Sequence, residues 1–72
     1  MYLTVFEGQK YSYSYEVETG HYILFKNDDN AHAYLQGDDA RIFREEMAII
    51  NSLPPPQSNN DTLTENIISI YL

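Results

Sequence analysis

The chain is predicted to be an α+β domain: a four-stranded antiparallel meander sheet followed by one long helix and one short C-terminal helix packed on one face. Three observations predict it. "KYSYSYEVE", residues 10–18, alternates strictly, which is the period of a strand. Turn signals follow at Gly20 and Asn30, each between apolar runs. "QGDDARIFREEMAIINSLPPP" then changes to a helical period and ends on a proline run. The expected organisation is a single domain over 1–72, with the sheet at 2–36, a helix at 38–53, a Pro/Asn loop at 54–61 and a short helix at 62–72.

Each element has its own reason. Residues 2–7 read as a first strand, with either Leu3 and Val5 or Thr4 and Phe6 facing inward. "EGQK" turns into the alternating second strand. Gly20 suits the left-handed last position of a three-residue loop 18–20, which pairs Val17 with His21, Tyr15 with Ile23 and Tyr13 with Phe25. "HYILFKN" is a third strand. Asn30 closes loop 28–30 in the same way and pairs Phe25 with Ala33 and Ile23 with Leu35. One apolar face then collects Tyr11, Tyr13, Tyr15, Val17, Ile23, Phe25, Ala33 and Leu35, and the tyrosine row becomes a core wall rather than a stacking platform for bases. A two-residue loop at Thr19 and Gly20 is the alternative, and it flips that face.

In the first helix, Asp38 is placed to cap and Asp39 to meet the positive end of the dipole. Ala40, Phe43, Met47 and Ile50 form the apolar stripe, widened by Ile42, Ile49 and Leu53. "TLTE" reads as a capping box from Thr62 to Glu65, opening a helix whose Leu63, Ile67, Ile70 and Tyr71 share a face. The run "IISIY" is also compatible with a fifth strand.

Composition narrows the function classes. The chain has 72 residues and no cysteine, so no disulfide or thiolate metal site staples it. At 43% hydrophobic and 14% aromatic residues it can build a core. Apolar runs are too short to span a membrane and the start lacks signal-peptide character, which suggests a cytoplasmic protein. The net charge of −7 repels phosphate backbones, so direct nucleic-acid or anionic-lipid binding is not expected; a basic protein surface is the complementary partner. No Ser/His/Asp order, glycine-rich phosphate loop or HExxH occurs, and no enzyme, cofactor or metal is expected. His21 and His32 fall near opposite ends of neighbouring strands.

The outer sheet face is the candidate site. In the register above it carries Ser12, Ser14, Glu16 and Glu18, then Tyr22, Leu24 and Lys26, then His32, Tyr34 and Gln36. Tyr22, Leu24 and Tyr34 would anchor a partner, with carboxylates at the rim. Strand propensity alone, or cover by a second copy, accounts for the same residues. The acidic pairs Glu16/Glu18, Asp28/Asp29 and Asp38/Asp39 extend this pattern. Asp28/Asp29 and Asp38/Asp39 would lie at opposite ends of the fourth strand, roughly 20 Å apart, a spacing that can imitate a phosphate backbone. Ordinary turn and cap chemistry explains each pair singly. Glu46, inside the apolar arc of the helix, calls for a lysine or a tyrosine hydroxyl as structural partner.

Over "AYLQGDDARIFREE", with its acidic strand end, Phe43 and Glu46, the sequence resembles small acidic proteins of phages and mobile elements, among them anti-CRISPRs. That resemblance covers residues 33–46 and general character, and carries over no functional residue. It implies stoichiometric binding to a host defence complex such as a CRISPR effector, at a surface that otherwise holds nucleic acid. A self-associating structural or regulatory subunit, a homodimer for example, is the second expectation.

Overall fold

The computed structural model describes residues 1–54 and 61–72. It has the predicted α+β architecture. Strands β1 (Tyr2–Glu7), β2 (Tyr11–Glu16), β3 (Tyr22–Lys26) and β4 (His32–Leu35) form one antiparallel sheet in chain order. Helices α1 (Asp38–Ser52) and α2 (Asp61–Tyr71) follow. The proline loop expected at 54–61 lies, apart from its two end residues, outside the described residues. Leu53, ahead of Pro54, is already extended (φ −69°, ψ 146°), the backbone that a following proline favours.

Tyr13, Tyr22, Leu24 and Leu35 of the sheet bury against Ala40, Phe43, Met47 and Ile50 of α1 and Ile68 of α2. Phe43 is the hub. Its fully buried ring meets Tyr13 edge-on at 4.9 Å between centroids, Tyr22 at 5.1 Å and Tyr71 at 6.0 Å. Such edge-to-face pairs direct a ring's positive edge at a neighbour's negative face, so the packing is directional as well as apolar. The tyrosine row of β2 is therefore a core wall.

The register of β3 corrects the expectation. Tyr15 faces Tyr22 and Tyr13 faces Leu24; Tyr22 in turn faces Leu35 and Leu24 faces Ala33. Both hairpin loops hold four residues, 17–20 and 27–30, rather than three. Gly20 (φ 76°) and Asn30 (φ 61°) take the left-handed last position, as expected. The N–H of Glu16 donates to the His21 carbonyl at 2.8 Å, and that of Lys26 to the Ala31 carbonyl at 2.8 Å. The residues that would have closed three-residue loops point the other way: Val17 N–H donates to Met1 O at 3.0 Å and Asn27 N–H to Lys10 O at 2.8 Å. Each loop is one residue longer than expected, and the two shifts cancel across the sheet. β2 and β4 keep their expected faces and β3 alone is inverted. Tyr22 and Leu24 are thus core residues (7% and 0% exposed), Ile23 and Phe25 sit on the opposite face, and Val17 is exposed in its loop.

β1 resolves its ambiguity by taking one residue from each alternative. Thr4 faces Ser14 and Phe6 faces Tyr13, so Val5 is an extra residue in a bulge. The bulge brings Phe6 to the side of Leu3, which faces Tyr15, and stacks it on Tyr13 at 6.2 Å.

The helices need four further corrections. The N-cap of α1 is Gly37 (φ 61°) without a side-chain cap, and Asp38 lies inside the first turn with Asp39. Ala40, Phe43, Met47 and Ile50 are the buried stripe, but Ile42 and Ile49 are exposed. In α2 the helix already begins at Asp61, one residue before the expected start, and Glu65 accepts the Lys10 backbone N–H at 2.9 Å. Thr64 and Ile68 centre its buried face, while Ile70 is 77% exposed.

Candidate functional site

Both helices pack on the tyrosine side of the sheet and leave its other face uncovered. The alternation of β2 puts Ser12, Ser14 and Glu16 there. The inverted β3 adds Ile23 and Phe25, β4 adds His32 and Tyr34, and β1 adds Tyr2, Thr4 and Glu7. Ile23 and Phe25 are half-buried and Tyr34 is 50% exposed.

One end of this face is closed by an aromatic bridge. Tyr2 and Tyr34, from the two outermost strands, meet edge-on at 6.4 Å and hydrogen-bond through their hydroxyls. Side chains on the edges of a four-stranded sheet can touch only if it curls towards this face. The Tyr34 bond holds the Tyr2 hydroxyl neutral and, with burial and the nearby negative charge, pushes it up to about 12. His21 packs against Tyr34 at 6.0 Å. Beneath the bridge, Glu16 is 9% exposed and binds the Met1 ammonium at 2.6 Å and the Glu18 N–H at 3.0 Å. The ammonium first, and then the amide, hold its carboxyl below the usual glutamate range.

The other end is an open recess of about 340 Å³. Ser12, Ser14, Thr4 and Phe25 line it together with Glu7, Lys26, Asn27 and Asn30. Asn27 stitches its wall: Ser12 donates to the Asn27 side-chain oxygen at 2.9 Å, and the Asn27 amide donates to Gly8 O at 3.0 Å. Lys26 pairs with Asp29 at 3.4 Å, and that bond raises its pKa.

Of the nine residues singled out from the sequence, Tyr34 stands on this face as expected. Tyr22 and Leu24 are in the core, inaccessible to a partner. Glu16 is spent on the amino terminus. Glu18 is exposed in the first hairpin loop, and Asp38 and Asp39 are exposed at the start of α1. Asp28 and Asp29 are exposed in the second hairpin loop, at the opposite end of β4. Asp29 accepts the Ala31 N–H at 3.1 Å, which with Lys26 lowers its pKa. Asp38 approaches Arg41 at 3.8 Å. The side chains of Glu18, Asp28 and Asp39 make no hydrogen bond or ion pair among the described residues. Burial first, and then the charges of Glu46 and Asp39, raise the Tyr71 hydroxyl pKa.

Sequence reasoning missed Tyr2, Glu7, Ile23 and Phe25. β3 is apolar on both faces, so its own pattern carried no signal for which side faces out. Among the described residues no group of three or more His, Cys, Asp or Glu is placed to hold a metal ion, and no helix is long and apolar enough to cross a membrane. No protein-family model, curated protein or solved structure matches the chain.

Proposed function

We propose that this chain is a non-enzymatic binding protein that inhibits by occlusion, in the manner of the anti-CRISPR proteins it resembles. It would cover a basic, nucleic-acid-binding surface of a host effector complex in the cytoplasm. The observation that carries this reading is the uncovered sheet face, where Ile23 and Phe25 are apolar and the Tyr2–Tyr34 pair closes one end. Free carboxylates lie at both ends of the sheet, in a chain of net charge −7. Aromatic anchors within a charged rim suit a protein partner, and the charge suits a basic one.

The test is association with purified CRISPR effector complexes at low and high salt, with and without bound nucleic acid. Expected are binding that weakens steeply with salt, loss on reversing Glu18, Asp28 and Asp39 to lysine, and competition with nucleic acid. Binding indifferent to salt and to charge reversal removes the electrostatic mechanism, and simultaneous binding with nucleic acid removes occlusion.

A second reading, self-association, is favoured by one observation. The outer edge of β1 is free for pairing, and its Leu3 and Val5 are 48% and 54% exposed. Light scattering separates the two: a stable dimer abolished by Val5→Lys supports self-association.

A further inference from the structure

We propose that the recess on the uncovered face is a socket for one arginine side chain of a basic protein partner, an inference that rests on reading this face as a partner site. Two features point to an occupant. Ser14 is only 9% exposed and lines the recess, yet its hydroxyl has no partner among the described residues. No buried side-chain polar atom among those residues is stranded, so the Ser14 hydroxyl opens into the recess rather than into the packed sheet. The carboxylate of Glu7, also lining the recess, makes no hydrogen bond or ion pair among the described residues.

The chemistry of the walls selects the occupant. An unpaired carboxylate and serine hydroxyls supply acceptors, and the half-buried Phe25 ring, which also meets His32 at 6.4 Å, supplies a π surface. A guanidinium is planar, stacks on aromatic faces and presents several donors in its plane, so it can satisfy ring, carboxylate and hydroxyl together. An ammonium is a compact, strongly hydrated point charge and can satisfy only some of them. Anions are opposed by Glu7 and by the net charge of −7. Lys26, the cation in the lining, is paired with Asp29, and its strand position faces Tyr11 on the tyrosine side of the sheet.

The experiment is an NMR titration of the isotope-labelled protein with N-acetyl-arginine amide, and in parallel with N-acetyl-lysine amide, at low salt. Expected are saturable shifts centred on Glu7, Ser12, Ser14 and Phe25, several-fold weaker for the lysine probe. Glu7→Gln should weaken arginine binding about tenfold, the scale of one charge-assisted hydrogen bond. Ser14→Ala serves as a second variant, and the spectrum of each free variant checks its fold. Shifts that never saturate, that follow every exposed carboxylate alike for both probes, or that survive both substitutions overturn the socket. Arginine binding in the recess without any basic protein partner leaves the socket standing and removes the proposed function. A salt-sensitive partner complex indifferent to Glu7→Gln and Ser14→Ala removes the socket alone.

Discussion

Leu24→Ala and Phe25→Ala, compared in one background, test the inverted register of β3 on which the site depends. Leu24 is fully buried, between Tyr13 and Ala33 on the neighbouring strands. Leucine truncations at such core positions cost roughly 2–5 kcal/mol, because the lost transfer energy and the cavity add; about 3 kcal/mol is expected. Phe25 is half-buried on a face no helix covers, so only part of its burial energy is at stake, about 1 kcal/mol. For a 72-residue domain, total stability is roughly 4–11 kcal/mol, so the first change removes a large share of it. At about 4–8 °C per kcal/mol, Leu24→Ala lowers the melting temperature by about 12–24 °C and Phe25→Ala by about 4–8 °C. Thermal melts followed by circular dichroism, with urea titrations for the free energies, give both numbers. A larger loss for Phe25→Ala than for Leu24→Ala would mean that the hairpin loops hold three residues and that the recess does not exist.

Three other perturbations reach separate parts of the structure. The carboxyl of Glu16 is held below its unfolded value, chiefly by the Met1 ammonium. Its contribution to stability is therefore present above the unfolded glutamate pKa, about 4.3, and is lost as the pH falls through the depressed folded value; Glu16→Gln should flatten this acid limb in urea titrations run against pH. A methyl group added at Gly8 would lie 2.8 and 2.9 Å from atoms of the Phe6 ring and collide with the Glu65 carboxylate. Gly8→Ala should cost about 1–3 kcal/mol and speed hydrogen exchange at the Lys10 amide, whose acceptor is displaced. Tyr34→Phe should bring the Tyr2 hydroxyl down from about 12 towards the ordinary value near 10, read by tyrosinate absorbance.

The element types were legible because their periods were unambiguous: the alternation of β2, the Phe43-centred stripe of α1 and the left-handed positions at Gly20 and Asn30 all stand. What the sequence did not encode locally was loop length. Both hairpins share one four-residue loop form, so a three-residue reading errs at both loops together and still agrees with itself across the sheet. "YILFK" has a large apolar residue on either face and could not arbitrate. The candidate site inherited that error at Tyr22 and Leu24, while Tyr34, on a strand whose face was unaffected, was correctly placed. Glu16 was lost to the site for another reason, since its partner is a chain terminus that no side-chain pattern announces. The Val5 bulge likewise left no signature beyond the conflict between Leu3 and Phe6.

The agreement between strand order and chain order has a kinetic consequence. Each strand docks on the one just made, across a short loop, so sheet formation closes only small loops and contact order within it is low. The Lys10–Glu65 hydrogen bond spans 55 positions and is the most distant in sequence among the described residues. The meander should therefore assemble early and α2 dock last. Ile68→Val should then mainly accelerate unfolding, whereas Leu24→Ala should slow folding. The reverse pattern in stopped-flow chevrons would place α2 in the nucleus. During synthesis on the ribosome, the tyrosine wall must wait for the two helices that follow it, and the nascent sheet passes through an interval in which its most apolar surface faces water.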